Sequence, residues 1–159
     1  MPRVSAGLLI YRIQDGKLQM LLAHPGGPYF KNKDEMAWTI PKGEMEPDED
    51  LLETAKREFE EETGVTPTGI FIALTPIKQK GGKIVHAWAF KGDCDPCAII
   101  SNTFSIEWPP RSGRQMEFPE MDRADFFDVA TAQRKIKAGQ EALIEELEKI
   151  ATGEPSRGN

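Results

Sequence analysis

No apolar run in this sequence approaches the ~20 residues that a bilayer-spanning helix requires. The first residues also lack the basic-then-apolar layout of a secretory leader, so the expectation is a cytoplasmic protein working away from membranes. Cysteine and histidine are equally scarce, with two of each: Cys94, Cys97, His24 and His86. A structural zinc site needs four such ligands, and the histidines are distant from the C-x-x-C spacing of Asp93-Cys94-Asp95-Pro96-Cys97. Pro96 and the flanking aspartates do not suit a redox pair opening a helix, so reduced thiols in or beside a loop are expected. Positive charge is in deficit as well. The formal net charge of −6, from 26 acidic against 20 basic residues, disfavours a grip on long nucleic acid. An acidic protein can still hold a polyanion by placing divalent cations between its carboxylates and phosphate oxygens. Internal repeats and low-complexity tracts are absent.

The 159 residues are 39% hydrophobic and 29% charged, which suits one globular domain over residues 1–153 followed by a tail at 154–159. Val4 to Ile13 and Leu18 to Ala23 are apolar runs separated by an Asp15-Gly16 hairpin signal. Ala37 to Ile40 reads as a short strand stopped by Pro41, and Ile70–Lys78 with Ile84–Phe90 as a second hairpin turning at Gly81-Gly82. Between the hairpins, Asp48 to Thr63 forms the clearest helix: acidic residues at its start, Leu52, Ala55 and Phe59 at helical spacing, and Gly64 placed as a left-handed cap. Thr131 to about Ala151 reads as one further amphipathic helix, Asp125 to Val129 as a strand, and the Pro- and Gly-interrupted segment from Asp93 to Asp125 as a long surface loop available for substrate contact.

The helix region carries eight acidic residues between Asp48 and Glu62. Glu58, Glu61 and Glu62 stand at i, i+3 and i+4 with no cation among them, so they share one side of the helix. Like charges at this spacing cost an isolated helix a few tenths of a kcal/mol per pair. Spacing alone leaves two readings open, a solvated acidic face or a hard-cation site built of carboxylate oxygens.

The neighbouring residues add a pattern. Gly43, Glu49, Arg57, Glu58, Glu61, Glu62 and Gly64, with apolar Phe59 and Val65, follow G-x5-E-x7-R-E-U-x-E-E-x-G-U. From average residue frequencies, an accidental match in a chain of this length is on the order of one in ten million. The pattern resembles the Nudix box of the Nudix hydrolases. That resemblance implies an α+β fold, an α/β/α sandwich with a mixed sheet between helices, and a metal-dependent hydrolase of phosphoanhydride bonds. It carries metal binding by Mg2+ or Mn2+ to Glu58, Glu61 and Glu62, with the Gly43 carbonyl as a further donor. Glu58 or Glu61 is then the candidate general base, and Arg57 a support pairing with Glu49, although an i, i+4 pair with Glu53 is equally plausible on any helix.

Lys42, just before Gly43, offers a point charge to phosphate or is an ordinary loop lysine. The approach Trp38-Thr39-Ile40-Pro41-Lys42-Gly43 resembles the dinucleoside polyphosphate and diphosphoinositol polyphosphate branches of the family, so the implied partner is a small nucleotide-like molecule, with nucleoside triphosphates and nucleotide sugars behind. Family members often supply one more acidic ligand from a later loop; Glu107, Glu117 and Glu120 are candidates, with Glu120 preferred. Arg111 and Arg114 serve either phosphate contact or surface solubility. Tyr29, Phe30 and Trp108 suit core packing or stacking on a base, Trp88 suits the core, and His24 and His86 read as structural. A catalytically silent Nudix domain that senses nucleotide or RNA is the alternative function; such domains usually lose box carboxylates, and all four are retained here. An acidic metal-binding protein without this chemistry would not need Gly43 and Arg57 at these positions.

Overall fold

The computed structural model describes residues 3–151, so the expected domain end at residue 153 and the tail beyond it lie outside the described residues. The amino-terminal hairpin consists of β1 (Val4–Gln14) and β2 (Lys17–Pro25), paired antiparallel with Gln14 opposite Lys17. Its two-residue turn, Asp15-Gly16, has positive φ at both positions, 55° and 76°, matching the right-handed twist of the flanking strands. β1 is buried from Ser5 to Tyr11, with Ala6, Leu8 and Ile10 facing one side and Leu9 and Tyr11 the other. This is the continuous apolar pattern of a strand covered on both faces.

One edge of β1 pairs in parallel with β6 (Ile84–Lys91); its other edge is shared, with β3 (Lys42–Glu44) along Ser5–Gly7 and β2 further on. β9 (Met121–Asp128) extends the sheet beyond β2, while β4 (Phe71–Ala73) and β5 (Ile77–Lys78) pair antiparallel with β6. The sheet is therefore mixed. Helix α1 (Leu51–Thr63) packs Ala55 and Phe59 against Ala6, Leu8, Ile10, Leu21 and Phe126. On the opposite face, α2 (Val129–Lys135) and α3 (Glu141–Ala151) bury Ala132, Leu143, Ile144 and Leu147 against Leu9, Met20 and Leu22. The sheet thus lies between helices, the expected α/β/α sandwich. No helix among the described residues is long and apolar enough to cross a membrane.

Three expectations for individual elements are corrected. Ala37–Ile40 is not a strand: it makes isolated bridges, Ala23 to Thr39 and Trp38 to Ile136, and regular pairing begins at Lys42, past the proline whose missing N–H interrupts a ladder. The Asp93–Asp125 segment is not a featureless loop. It contains a separate two-stranded sheet, β7 (Thr103–Glu107) with β8 (Gln115–Pro119), whose five-residue strands alternate polar and apolar residues but flank a Pro- and Gly-interrupted turn that reads as loop, and β9 already begins at Met121. The carboxyl-terminal helix is two helices. The chain leaves α2 at Ile136, where the Lys137 amide donates to the Trp38 carbonyl at 2.7 Å, and Gln140, fully buried, caps the interruption by bonding Thr39 and the Ile40 amide.

Candidate active site

Helix α1 is held at both ends by local chemistry. Asp50 accepts from the Glu53 amide at 2.8 Å while Glu53 reaches back to the Asp50 amide, a capping box that commits Glu53 to the helix start and away from Arg57. Gly64 terminates the helix at φ 75°. Phe59 pointing into the sheet fixes the rotation of the helix, which turns Glu58, Glu61 and Glu62 towards β3 and the start of β9.

Arg57 organises this surface. Its guanidinium grips Glu49 with two bonds, Nε to Oε2 at 2.7 Å and Nη2 to Oε1 at 3.1 Å, and its Nη1 lies 3.0 Å from Glu58 Oε2 and 3.4 Å from Glu61 Oε2. Nη2 also donates to the Glu44 carbonyl at 3.4 Å, tying helix to loop. Glu49 additionally accepts from the Thr54 hydroxyl at 2.7 Å and the Glu46 amide at 3.2 Å. These bonds, above all those from Arg57, hold the Glu49 carboxyl down at about 2, and the same pairing raises the Arg57 pKa.

Glu62 is in the opposite situation. It is 7% exposed, and its carboxylate makes no hydrogen bond or ion pair with the described residues. Burial first, then the charges of Glu58, Glu120 and Glu61, push its pKa up to about 8. Glu58 is also raised by burial, against the pull of Arg57. Glu61 lies at the rim with a side chain 44% exposed.

Gly43 faces Glu58 directly. A Cβ at Gly43 would stand 2.1 Å from the Glu58 carboxyl carbon, so the loop backbone approaches the carboxylate where no side chain fits. Glu120, immediately before β9, is anchored through its backbone, accepting from the Gly26 amide at 2.9 Å and donating to the Asn102 carbonyl at 2.7 Å. It lines a cleft of about 510 Å³ with Lys42, Gly43, Arg57, Glu58, Lys83 and Asn102. A narrower cavity of about 170 Å³ joins Glu120 to Glu62 and Lys42. Glu107 instead accepts from the Gly113 amide at 2.8 Å within the hairpin turn, and Glu117 pairs with Ser105 across β7 and β8. Lys42 has a depressed pKa, from burial first and then from Lys83 and Lys137.

Arg111 and Arg114 lie in or beside the β7–β8 turn and do not line the cleft that contains Lys42. Tyr29 and Trp108 meet edge to face at 5.3 Å, joining that hairpin to the loop after β2. Trp88 is partly buried against the α1-side core. His24 is fully buried between Asp122 Oδ1 at 2.8 Å and the Lys33 carbonyl at 2.6 Å. Cys94 and Cys97 are free thiols in and beside a short 3-10 turn. Lys83 and Asn102 were not foreseen from sequence; each is an isolated polar residue whose place in the cleft is set by strand pairing.

Among the described residues no three acidic, histidine or cysteine side chains stand close enough to enclose an ion as they lie. The donor set nevertheless suits a hard divalent cation: oxygen donors only, three carboxylates at i, i+3 and i+4, and a buried Glu62 whose charged form has no cation to offset it.

The model of the NUDIX domain matches residues 1–147. The chain belongs to the NUDIX family. The chain is similar to the Caenorhabditis elegans bis(5'-nucleosyl)-tetraphosphatase (asymmetrical), 40% identical over 62 residues, which are 39% of this chain and 41% of that protein. The alignment thus spans about two fifths of that relative's length. The NUDIX fold is shared with the C. elegans Ap4A hydrolase binary complex at TM-score 0.65 and 23% identity, covering 95% of this chain and 98% of that one. It is also shared with a mutT/nudix family protein from Listeria innocua at TM-score 0.66 and 18% identity, covering 97% of each chain. The NUDIX domain of Shewanella oneidensis NrtR, solved with ADP ribose, matches at TM-score 0.61 and 15% identity over 96% of this chain and 88% of that one.

Proposed function

We propose that this NUDIX-family chain is a metal-dependent pyrophosphohydrolase that cleaves a phosphoanhydride bond in a substrate linked to a nucleoside diphosphate, with dinucleoside polyphosphates the preferred class. The observation that carries the reading is Glu62, a 7%-exposed residue whose carboxylate has no partner among the described residues, lines the cavity it shares with Lys42 and Glu120, and faces Glu58, Glu61 and Glu120. Such a group becomes a stable anion at neutral pH when a cation joins it. Glu58, Glu61, Glu62 and Glu120, with the Gly43 carbonyl, are the residues that would hold Mg2+ or Mn2+. The bound ion would neutralise phosphate oxygens and lower the pKa of a water.

The chain's own groups supply the rest. Arg57, locked by Glu49, positions Glu58 and Glu61, one of which accepts the proton of the attacking water. Lys42 and Lys83 line the cleft and meet the substrate's phosphates. The preference for dinucleoside polyphosphates is supported by the Trp38–Gly43 approach and by the tetraphosphatase relative. With a net charge of −6, the chain acts on free small molecules in the cytoplasm rather than on long nucleic acid.

The test is product chromatography with Mg2+ or Mn2+ across dinucleoside polyphosphates, nucleoside triphosphates, nucleotide sugars and diphosphoinositol polyphosphates, beside a Glu61→Gln control. Metal-dependent turnover of the first class, abolished in the control, is the expected result. Tight nucleotide binding without turnover of any class would replace this reading by a nucleotide sensor.

A further inference from the structure

A second cavity, of about 560 Å³, lies beside the carboxylate cleft and has the opposite charge. It is lined by Lys78, Gln79, Lys80, Lys83, Lys137 and Gly139. None of these four lysines makes an ion pair among the described residues, although acidic residues are in excess in the chain. Gathering unpaired ammonium groups around one concavity costs electrostatic free energy that an anion would recover. Lys83 lines both cavities, so the basic one continues the cleft that holds Glu58 and Glu120.

The basic cavity is built from elements remote in sequence. Lys78 ends β5, and Lys80 and Lys83 flank a tight turn in which Gly81 and Gly82 both have φ 83°. The turn is closed by the Gln79 amide bonding the Lys83 carbonyl at 2.7 Å. Lys137 arrives from the break between α2 and α3, which is pinned by its own amide on the Trp38 carbonyl and by buried Gln140. An uninterrupted helix would carry Lys137 elsewhere. Glu141 is the acidic residue nearest in sequence to this break, and its carboxylate is engaged by the Gly139 amide at 2.6 Å.

We propose that this lysine cavity is a polyphosphate subsite, holding the phosphates of the substrate that lie beyond the bond being cleaved and so favouring long phosphate chains over diphosphate-linked substrates. The inference deepens the proposed hydrolase reading and rests on it for the identity of the chain being held. A cluster of flexible ammonium groups suits several phosphates in succession rather than one planar, bidentate anion.

The decisive probe is inorganic tripolyphosphate, titrated calorimetrically in chelator, where the acidic cleft has no cation to attract it. The proteins are wild type, K80Q/K137Q and the charge-preserving K80R/K137R. Both positions are exposed, so the variants should keep the fold, with thermal melting as the check. The expected result is binding by wild type and K80R/K137R and about tenfold weaker binding by K80Q/K137Q. In turnover, K80Q/K137Q should raise KM for a dinucleoside tetraphosphate with kcat unchanged, and leave KM for a diphosphate-linked nucleotide unaltered. Equal tripolyphosphate affinity in wild type and K80Q/K137Q overturns the subsite even if hydrolysis is confirmed. Lysine-dependent binding in a protein that hydrolyses nothing supports the subsite and rejects the hydrolase. Monophosphate binding as tightly as tripolyphosphate would make the cavity a site for a free single anion and overturn the chain-length role.

Discussion

Replacing Gly43 with alanine should lower kcat about a hundredfold while leaving the fold nearly untouched. The added Cβ would sit 2.1 Å from the Glu58 carboxyl carbon and 2.4 and 2.5 Å from its oxygens, whereas ordinary contact begins at 3.4 Å, so the carboxylate must retreat by about 3.4 − 2.1 = 1.3 Å. Gly43 is not among the positive-φ glycines, so alanine brings no backbone strain there. The obstacle is the far end of a flexible side chain, which yields cheaply in stability. It does not yield cheaply in function, because the retreat breaks the 3.0 Å contact with Arg57 and displaces a proposed metal donor. A misplacement of about 1 Å in a reacting constellation costs roughly a hundredfold in rate. The assay is kcat at saturating Mg2+ beside a thermal melt. Gly64→Ala is the converse control: nothing lies within 4 Å of its Cβ but its φ is 75°, so it should cost about 1 kcal/mol of stability and spare kcat. A Gly43→Ala enzyme with kcat within twofold of wild type would refute the placement of Glu58 in the site.

Glu62 makes metal-free stability depend on pH. Its carboxyl titrates at about 8 in the folded protein against an ordinary 4.5, so its contribution is fully present below about pH 4.5 and is lost as pH rises through 8. In chelator, the unfolding free energy of wild type should fall between pH 5 and 8 more steeply than that of Glu62→Gln, by up to about 1.4 kcal/mol per pH unit, and saturating Mg2+ should remove the difference; parallel curves for the two proteins in denaturant titrations would contradict it. Arg57→Lys keeps the charge but loses the two-bond grip on Glu49, so metal affinity should drop about 10- to 100-fold in a Mn2+ titration, with no loss counting against Arg57 as the organising residue. Phe59→Ala removes the ring that packs against Phe90 at 5.9 Å and orients α1, and should cost about 3–5 kcal/mol in denaturant unfolding.

Much of the site was legible because its information is local. A capping residue, an apolar stripe of Ala55 and Phe59, three carboxylates at i, i+3 and i+4 and a terminal glycine all lie within α1, and helix geometry alone places them relative to one another. Asp15-Gly16 specified its hairpin for the same reason, since two positive φ values are a demand on two adjacent residues. The β7–β8 hairpin was hidden for another reason: its strands do alternate polar and apolar residues, with Phe104 and Ile106 opposite Phe118 and Met116, but each is only five residues long and the Pro- and Gly-interrupted turn between them reads as loop. The division of α2 from α3 was hidden too, because Ile136 continues the helical apolar spacing while the Trp38 carbonyl and the Gln140 side chain, remote in sequence, break the helix there.

By itself, then, the sequence determined the helix that presents Glu58, Glu61 and Glu62 and the family pattern those residues spell out, because each depends on spacing within one short segment; the mixed α+β class came only through that family resemblance. Tertiary structure decided what the sequence only preferred, that Glu120 rather than Glu107 or Glu117 joins those carboxylates, and it alone decided that Glu62 is 7% exposed with no partner for its carboxylate among the described residues and that Lys83 and Lys137 meet beside them. Charges from separate segments interact only after strand pairing and core burial have brought them together, and no spacing within the chain encodes the distance between groups that far apart.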